Sequence, residues 1–417
     1  MLHCDHGSRG WPRAAAIAIA LVLGSLGCRH RGAAWRAELP PTPEPAVELF
    51  VIGQPRESVA TRAVADELER QLQAARAAER AAIVVWLGTD LGPAGPERSG
   101  RCLGAAPLFA SPALAQLAEV VMRAVEHGAS SWGLPGPDPW RCGRTGFEAA
   151  ASLAPYRHAG VGYVLRVEPS GAVELASSCT VDDCVVTAPS QPPLIELVLL
   201  DLSYWVFPEL DGEDLTAAAL AQQRSLLESL AAQPGPPRVL ISPIPIESAG
   251  TRGLGGRMQR TSFRYLPEFV QEAVAAGMFV GAIGALERDL QLSVDLSNSI
   301  VRGDRTFIDK PLFGVVAGSA GGAGHTLPSS RGGSLLPDAW SEHAGFARLE
   351  ITPDHARVHL HARVAGRWRD AAVELPLDPA PLPGLREPPT IQPCPSCDPQ
   401  EGKAEGEPFV PRNERPR

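Results

Sequence analysis

Residues 49–91 read LFVIGQPRESVATRAVADELERQLQAARAAERAAIVVWLGTDL, and they give the clearest indication of the fold. Apolar runs at 49–52 and 83–87 lie on either side of a long segment whose apolar residues recur with the period of an α-helix. The pattern predicts a βαβ crossover between two buried parallel strands. A glycine-containing turn follows each strand, and ligands of such sheets bind at the carboxyl ends of the strands. We therefore expect any chemistry at Gln54, Thr89 and Asp90.

The alternation of strands and helices continues along the chain. Further apolar strands are predicted at 195–201, 238–242 and 278–283, and helices at 111–128, from Asp214 onward and at 266–276. Alternating apolar and polar residues at 162–167 and 172–175 predict antiparallel strands. This order of elements indicates an α/β sandwich.

The first two turns also carry a resemblance to a known family. Gly53-Gln54 stands where the calcineurin-like metallophosphoesterases have a Gly-Asp turn, and Gly88-Thr89-Asp90 stands where they have Gly-Asp-Asn. The chain thus resembles the opening of that family. The resemblance implies a four-layer αββα sandwich with a dinuclear metal centre at the strand ends.

Three later turns follow the same order without the ligands that the family uses. Pro137-Asp138 stands in the place of an Asn-His pair, Pro243-Ile244 in the place of a His-His pair, and Ala285 and Glu287 in the place of a His-x-His pair. The resemblance covers about residues 48 to 365. It implies that the chain has the fold of the family but has lost the residues that bind the metals. We therefore expect no catalytic residue, no metal ligand and no cofactor at these positions.

Two functional hypotheses follow from this departure. The leading one is a non-catalytic binding or scaffolding protein, because a dinuclear phosphoesterase needs a bridging carboxylate and imidazoles that these turns lack. The alternative is a metal-dependent phosphoric ester hydrolase with a rebuilt site. Asp90, Asp138, Glu287 and Glu247 would then cluster around a hard divalent cation such as Ca²⁺.

Two histidines of a late strand, His359 and His361, share one face of residues 356–363. Two imidazoles at this spacing can bind a metal, but a third ligand is not evident in the sequence. We expect them instead on the exposed face of an edge strand.

The N-terminal segment predicts export. Residues 1–27 have basic residues, an apolar run at 14–23 and small residues before Cys28, which resembles a bacterial lipoprotein signal peptide. The resemblance implies acylation of Cys28 and a lipid anchor to a membrane of a bacterial cell envelope. The Pro-rich residues 28–47 would be the anchor and tether. An ordinary secreted protein is the alternative.

Composition limits the remaining possibilities. The formal net charge of −9 argues against a nucleic-acid partner. For an exported, anchored chain we expect an unknown envelope protein or a small ligand as the partner. Six cysteines remain besides Cys4 and Cys28, and in an oxidising compartment they can pair. Possible disulfides are a local bridge between Cys179 and Cys184 and one between Cys102 and Cys142. Residues 48–375 would form the folded domain, and 376–417 a disordered Pro-rich tail.

Overall fold

The computed structural model describes most of the chain between residues 47 and 378. The described residues are 47–55, 57–88, 112–136, 156–180, 182–187, 192–203, 213–233, 235–248, 263, 266–286, 289–296, 310–318, 320–321, 337 and 339–378.

The opening of the domain is a double βαβ unit. Its elements are β1 (Val47–Gly53), α1 (Val59–Ala77), β2 (Ala81–Leu87), α2 (Pro112–Glu126) and β3 (Ser130–Leu134). The three strands are parallel and pair in the order β1, β2, β3. Helix α1 begins after Ser58, whose side chain accepts a hydrogen bond from the Thr61 amide. The predicted crossover is therefore confirmed.

Three C-terminal strands complete this first sheet. They are β13 (Gly345–Ile351), β14 (His355–Val364) and β15 (Arg367–Pro376), and β13 pairs antiparallel with β1. The sheet has six strands in the order β15-β14-β13-β1-β2-β3. Strand β14 pairs with β13 on one side and β15 on the other, so the expectation of an edge strand was wrong.

The middle of the chain forms a second, nine-stranded sheet in the order β12-β10-β11-β9-β8-β7-β4-β5-β6. Its strands are β4 (Gly162–Val167), β5 (Val173–Cys179), β6 (Cys184–Val186), β7 (Ile195–Leu200), β8 (Arg238–Ile241), β9 (Gly281–Gly284), β10 (Leu290–Ser293), β11 (Phe313–Ala317) and β12 (Ala339–Ser341). Two helices accompany it, α3 (Glu213–Ala231) and α4 (Glu268–Ala275). Cys179 and Cys184 face each other across β5 and β6 and form a disulfide, which confirms the local bridge.

The two sheets pack face to face with helices outside. Leu49 and Val51 of β1 lie in a core that both sheets share, whereas Phe50 and Ile52 pack against α1 and α2. A third cluster joins the outer face of the nine-stranded sheet to α3 and α4. The chain is thus the expected four-layer αββα sandwich of the calcineurin-like phosphoesterase type. Within the described part of the chain, no helix combines the length and the apolar character that crossing a membrane requires.

Candidate functional site

Hydrogen bonds between backbone groups join the turns at the carboxyl edge of the six-stranded sheet. The Gln54 amide donates to the Leu87 carbonyl, and the Gly88 amide donates to the Leu134 carbonyl, each at 2.9 Å. The turns after β1, β2 and β3 are therefore held side by side, as parallel strands require.

The turns after β8 and β9 are joined in the same way in the other sheet. The Ser242 amide donates to the Ile283 carbonyl at 3.0 Å, and the Ala285 amide donates to the Pro243 carbonyl at 3.3 Å. Pro243 and Ala285, two of the sequence-predicted positions, are thus direct neighbours.

Gly53 brings the turns of the two sheets into contact. A Cβ atom on Gly53 would lie 2.1 Å from the Ala317 carbonyl oxygen and 2.6 Å from the Ala285 Cβ. The Ala320 amide also donates to the Gly53 carbonyl at 3.2 Å. Only glycine permits this approach, because any side chain at 53 would overlap the opposite sheet.

Gly136 makes a second contact between the sheets. A Cβ atom on Gly136 would lie 2.8 Å from the Gly88 Cα and 3.7 Å from the Pro243 Cβ. These contacts of Gly53 and Gly136, together with the hydrogen bonds above, connect the turns that follow β1, β2, β3, β8 and β9 into a closed ring. We call this closed set of turns the turn ring and define it by Gly53, Gly88, Gly136, Pro243 and Ala285.

The sequence-predicted positions are only partly brought together. Gln54, Pro243 and Ala285 lie at the turn ring, whereas Ile244 is buried in the core that packs on α3 and α4. The other predicted positions lie outside the described residues: Cys28, Thr89, Asp90, Cys102, Pro137, Asp138, Cys142 and Glu287.

The described side chains at the turn ring offer little to a metal ion. Pro243 and Ala285 are buried and carry no donor atom. Glu247 is buried too, and its Oε2 accepts a hydrogen bond of 3.1 Å from the Phe263 amide. Among the residues that the structure describes, no three His, Cys, Asp or Glu side chains are grouped so that they could hold a metal.

Gln54 contributes a polar side chain to the turn ring. Its φ of +47° is in the left-handed region, which residues other than glycine enter at an energetic cost. Its side chain lies across Gly88, since a Cβ on Gly88 would be 3.5 Å from the Gln54 Cγ. The half-buried amide is available for a hydrogen bond but cannot act as an acid, a base or a nucleophile.

Behind the turn ring, Tyr163 links the two sheets. Its hydroxyl donates to the Gly133 carbonyl of β3 at 2.8 Å, and burial raises the pKa of this phenol well above its ordinary value. His158 packs edge-on against the Tyr163 ring with 6.2 Å between ring centroids. Burial lowers the pKa of His158 to about 4, so this imidazole is neutral at pH 7. Sequence reasoning missed both residues, because a single His or Tyr gives no pattern.

A second polar cluster joins α1 to β14 and β15 on the outer face of the six-stranded sheet. His361 Nε2 lies 2.8 Å from Glu67 Oε1, and its Nδ1 contacts Asp370 Oδ1. A neutral imidazole carries one N–H, so only the imidazolium form can donate to both carboxylates. The ring stacks on Trp368 with 5.0 Å between centroids and 3° between planes.

The charges of this cluster are matched. Burial opposes ionisation of Glu67, but hydrogen bonds from Arg70, Gln71 and His361 outweigh it and lower the pKa of Glu67 below its ordinary 4.5. Burial opposes ionisation of Asp370 as well, and the hydrogen bond and charge of His361 lower the pKa of that carboxyl. Because each group of the cluster has a partner, we interpret it as a structural clamp between α1 and the C-terminal strands.

Several solved structures are similar in fold to this chain. The chain is similar to a structure described as GAP50, the anchor in the inner membrane complex of Plasmodium, with a TM-score of 0.52 and 12% identity over 80% of this chain and 89% of that chain. It also matches purple acid phosphatase PPD1 from yellow lupin seeds, with a TM-score of 0.48 and 11% identity over 81% of this chain and 55% of that one. A structure of PhoD matches with a TM-score of 0.45 and 11% identity over 80% and 69% of the two chains.

No protein-family model matches the sequence, and no curated protein matches it.

Proposed function

We propose that this chain is an exported lipoprotein, anchored through Cys28 in a bacterial cell envelope, that binds or scaffolds without catalysis. Its metal-ligand motifs would be degenerate, and the protein would be a pseudoenzyme on a metallophosphoesterase-type scaffold. The partner would be an envelope protein or a small ligand.

The packing of the turn ring is the observation that carries this proposal. A dinuclear centre needs space for two ions about 3.5 to 4 Å apart and a shell of carboxylates and imidazoles around them. The described turns instead bring Gly53 against Ala285 and Gly136 against Gly88 and Pro243. Among the described counterparts of the ligand positions at the turn ring, Pro243 and Ala285 carry only apolar side-chain atoms, and Gln54 carries an amide.

The similarity of the fold to that of GAP50 supports a scaffolding role. GAP50 is described as an anchor in a membrane complex, and its structure matches 80% of this chain. A lipid-anchored scaffold on the same fold would be a comparable use of it.

The alternative, a metal-dependent phosphoric ester hydrolase, depends on Asp90, Asp138 and Glu287, which lie outside the described residues. It makes opposite predictions. Purified full-length chain would be assayed with bis(4-nitrophenyl) phosphate in the presence of Mn²⁺, Zn²⁺ or Ca²⁺. We expect no hydrolysis above the metal-only blank. Hydrolysis that is lost in Asp90→Ala and in Glu287→Ala would overturn the non-catalytic proposal.

Anchoring is tested separately, because it does not depend on catalysis. The full chain and a Cys28→Ser variant would be expressed in a bacterium with a labelled fatty acid, followed by fractionation of the cells. We expect label and membrane association for the unchanged chain and neither for the variant. Equal membrane association of both chains, without label, would contradict the lipid anchor.

A further inference from the structure

A groove of about 420 Å³ lies between the C-terminal halves of α1 and α2. Ala81 and Ala129, which line it, lie at the amino ends of β2 and β3. The groove is thus at the edge of the six-stranded sheet opposite the turn ring. Its volume lies within the range of pockets that hold small organic molecules, about 300 to 1,000 Å³.

One face of α1 forms the first wall of the groove. Glu69, Leu72 and Arg76 follow one another at three- and four-residue spacing, so they lie on the same side of the helix. Leu72 is buried and provides an apolar base. Arg76 is exposed, and among the described residues its guanidinium has no ion-pair partner.

The facing wall repeats this pattern on α2. Val120, Arg123 and Ala124 of α2, and His127 directly after it, also recur at three- and four-residue spacing. Arg123 Nη2 donates to Glu69 Oε1 of α1 at 2.9 Å, which ties the two helices together. A guanidinium has several N–H donors, so Arg123 retains donors for a ligand.

The charge of the lining differs from that of the whole chain. The formal net charge of the protein is −9, yet the groove carries Arg76, Arg80 and Arg123 against Glu69 and Glu79. Arg80 pairs with Glu48 at 2.7 Å, and Arg123 pairs with Glu69. Among the described residues that line the groove, Arg76 therefore remains the arginine without an ion-pair partner, and Glu79 is an exposed carboxylate of the same lining.

We propose that this groove binds a small organic anion, a carboxylate or a phosphate attached to an apolar body. Guanidinium groups match the geometry of these anions and donate paired hydrogen bonds to them. The anion would contact Arg76 and the remaining donors of Arg123. The apolar body would lie on Leu72, Val120 and Ala124. Glu79 would weaken the binding by repulsion.

The proposal is tested by titrating the full chain with four naphthalene compounds of similar shape in a calorimeter. The anions are 1-naphthoate and 1-naphthyl phosphate, and the controls are neutral 1-naphthol and cationic 1-naphthylmethylamine. All titrations are made in one detergent, because the full chain is expected to carry a lipid anchor. An Ala124→Phe variant, whose new side chain would fill the groove, is the blank. We expect saturable binding of the two anions that the blank lacks. Equal binding of 1-naphthol, or no difference from the blank, would overturn the proposal.

Three exposed charges give a test with opposite signs. Arg76→Gln should weaken 1-naphthoate binding about tenfold or more, because it removes a charge-assisted contact. Glu79→Gln should tighten it by about two- to fivefold, because it removes a like charge. Arg62→Gln, on α1 outside the groove, should change nothing. An anion site would be contradicted if Glu79→Gln bound 1-naphthoate more weakly. It would also be contradicted if Arg76→Gln bound 1-naphthoate as tightly as the unchanged chain. The result does not depend on whether the chain is an enzyme.

Discussion

Replacing Gly53 by Ala tests the packing of the turn ring. The new methyl group would lie 2.1 Å from the Ala317 carbonyl oxygen and 2.6 Å from the Ala285 Cβ. An ordinary contact is longer by about 1 Å or more. Neither atom sits at the end of a flexible side chain, so strands of both sheets must move apart.

The expected cost follows from these contacts. Overpacking of a core costs about 1 to 3 kcal/mol, and a clash with backbone belongs at the upper end of that range. Alanine also restricts the unfolded chain, which offsets about 0.4 to 1 kcal/mol. We therefore expect Gly53→Ala to lower the free energy of unfolding by about 2 kcal/mol or slightly more.

The assay is urea unfolding of the full chain, followed by far-ultraviolet circular dichroism. A control variant is Gly128→Ala. Gly128 has a positive φ of 98°, and its new Cβ would have no atom of the described residues, apart from its chain neighbours, within 4 Å. This variant should cost about 1 kcal/mol from backbone strain alone. The double variant Gly53→Ala/Ala285→Gly should recover part of the loss, because it removes the 2.6 Å contact and leaves the 2.1 Å one.

If Gly53→Ala proved no more destabilising than Gly128→Ala, the turn ring would have room for a side chain. Packing would then not have replaced a metal centre at this position.

The clamp between α1 and the C-terminal strands and the buried imidazole behind the turn ring give two further predictions. In urea unfolding, Glu67→Gln should lower the free energy of unfolding by about 2 kcal/mol, because it removes the charge that faces the buried His361. The same change at the more exposed Glu69 should lower it by less than about 1 kcal/mol. Equal costs of the two substitutions would contradict the clamp. His158 should titrate in NMR spectra with a pKa near 4. Because its folded-state pKa lies below its ordinary 6.5, the unfolded chain binds more protons between these values, and stability should fall as the pH drops from 6.5 to about 4. In His158→Gln that part of the pH dependence should disappear, and a His158 pKa near 6.5 would show that the ring is solvated.

Local pattern was sufficient to predict the framework of the fold. The apolar runs that became β1 and β2 flank a helical segment with an N-cap at Ser58, so the crossover could be predicted without any distant contact. The resemblance to the calcineurin-like metallophosphoesterases implied that Gln54, Pro243 and Ala285 would lie near one another, and their turns are in contact in the structure. The signal for the crossover lies within a few residues of each element, whereas the placement of Pro243 and Ala285 came from the resemblance.

Features that depend on pairing between distant segments could not be predicted in this way. The alternation in residues 356–363 indicates a strand but not its neighbours, and the pairing of β14 with β15 made the edge assignment wrong. The contact between Glu67 and His361 joins residues 294 positions apart. Likewise, nothing near Gly53 in the sequence indicates that the Ala317 carbonyl approaches it.

The metal content of the chain distinguishes a degenerate metal centre from a functional one. Full-length protein would be purified without chelator, incubated with Mn²⁺, Zn²⁺ or Ca²⁺, freed of unbound ions and measured by plasma mass spectrometry, with Asp90→Ala in parallel. We expect far less than one ion per chain under every condition and no difference between the two proteins. Near-stoichiometric metal that is lost in Asp90→Ala would contradict the non-catalytic account and establish a carboxylate-based metal site in its place.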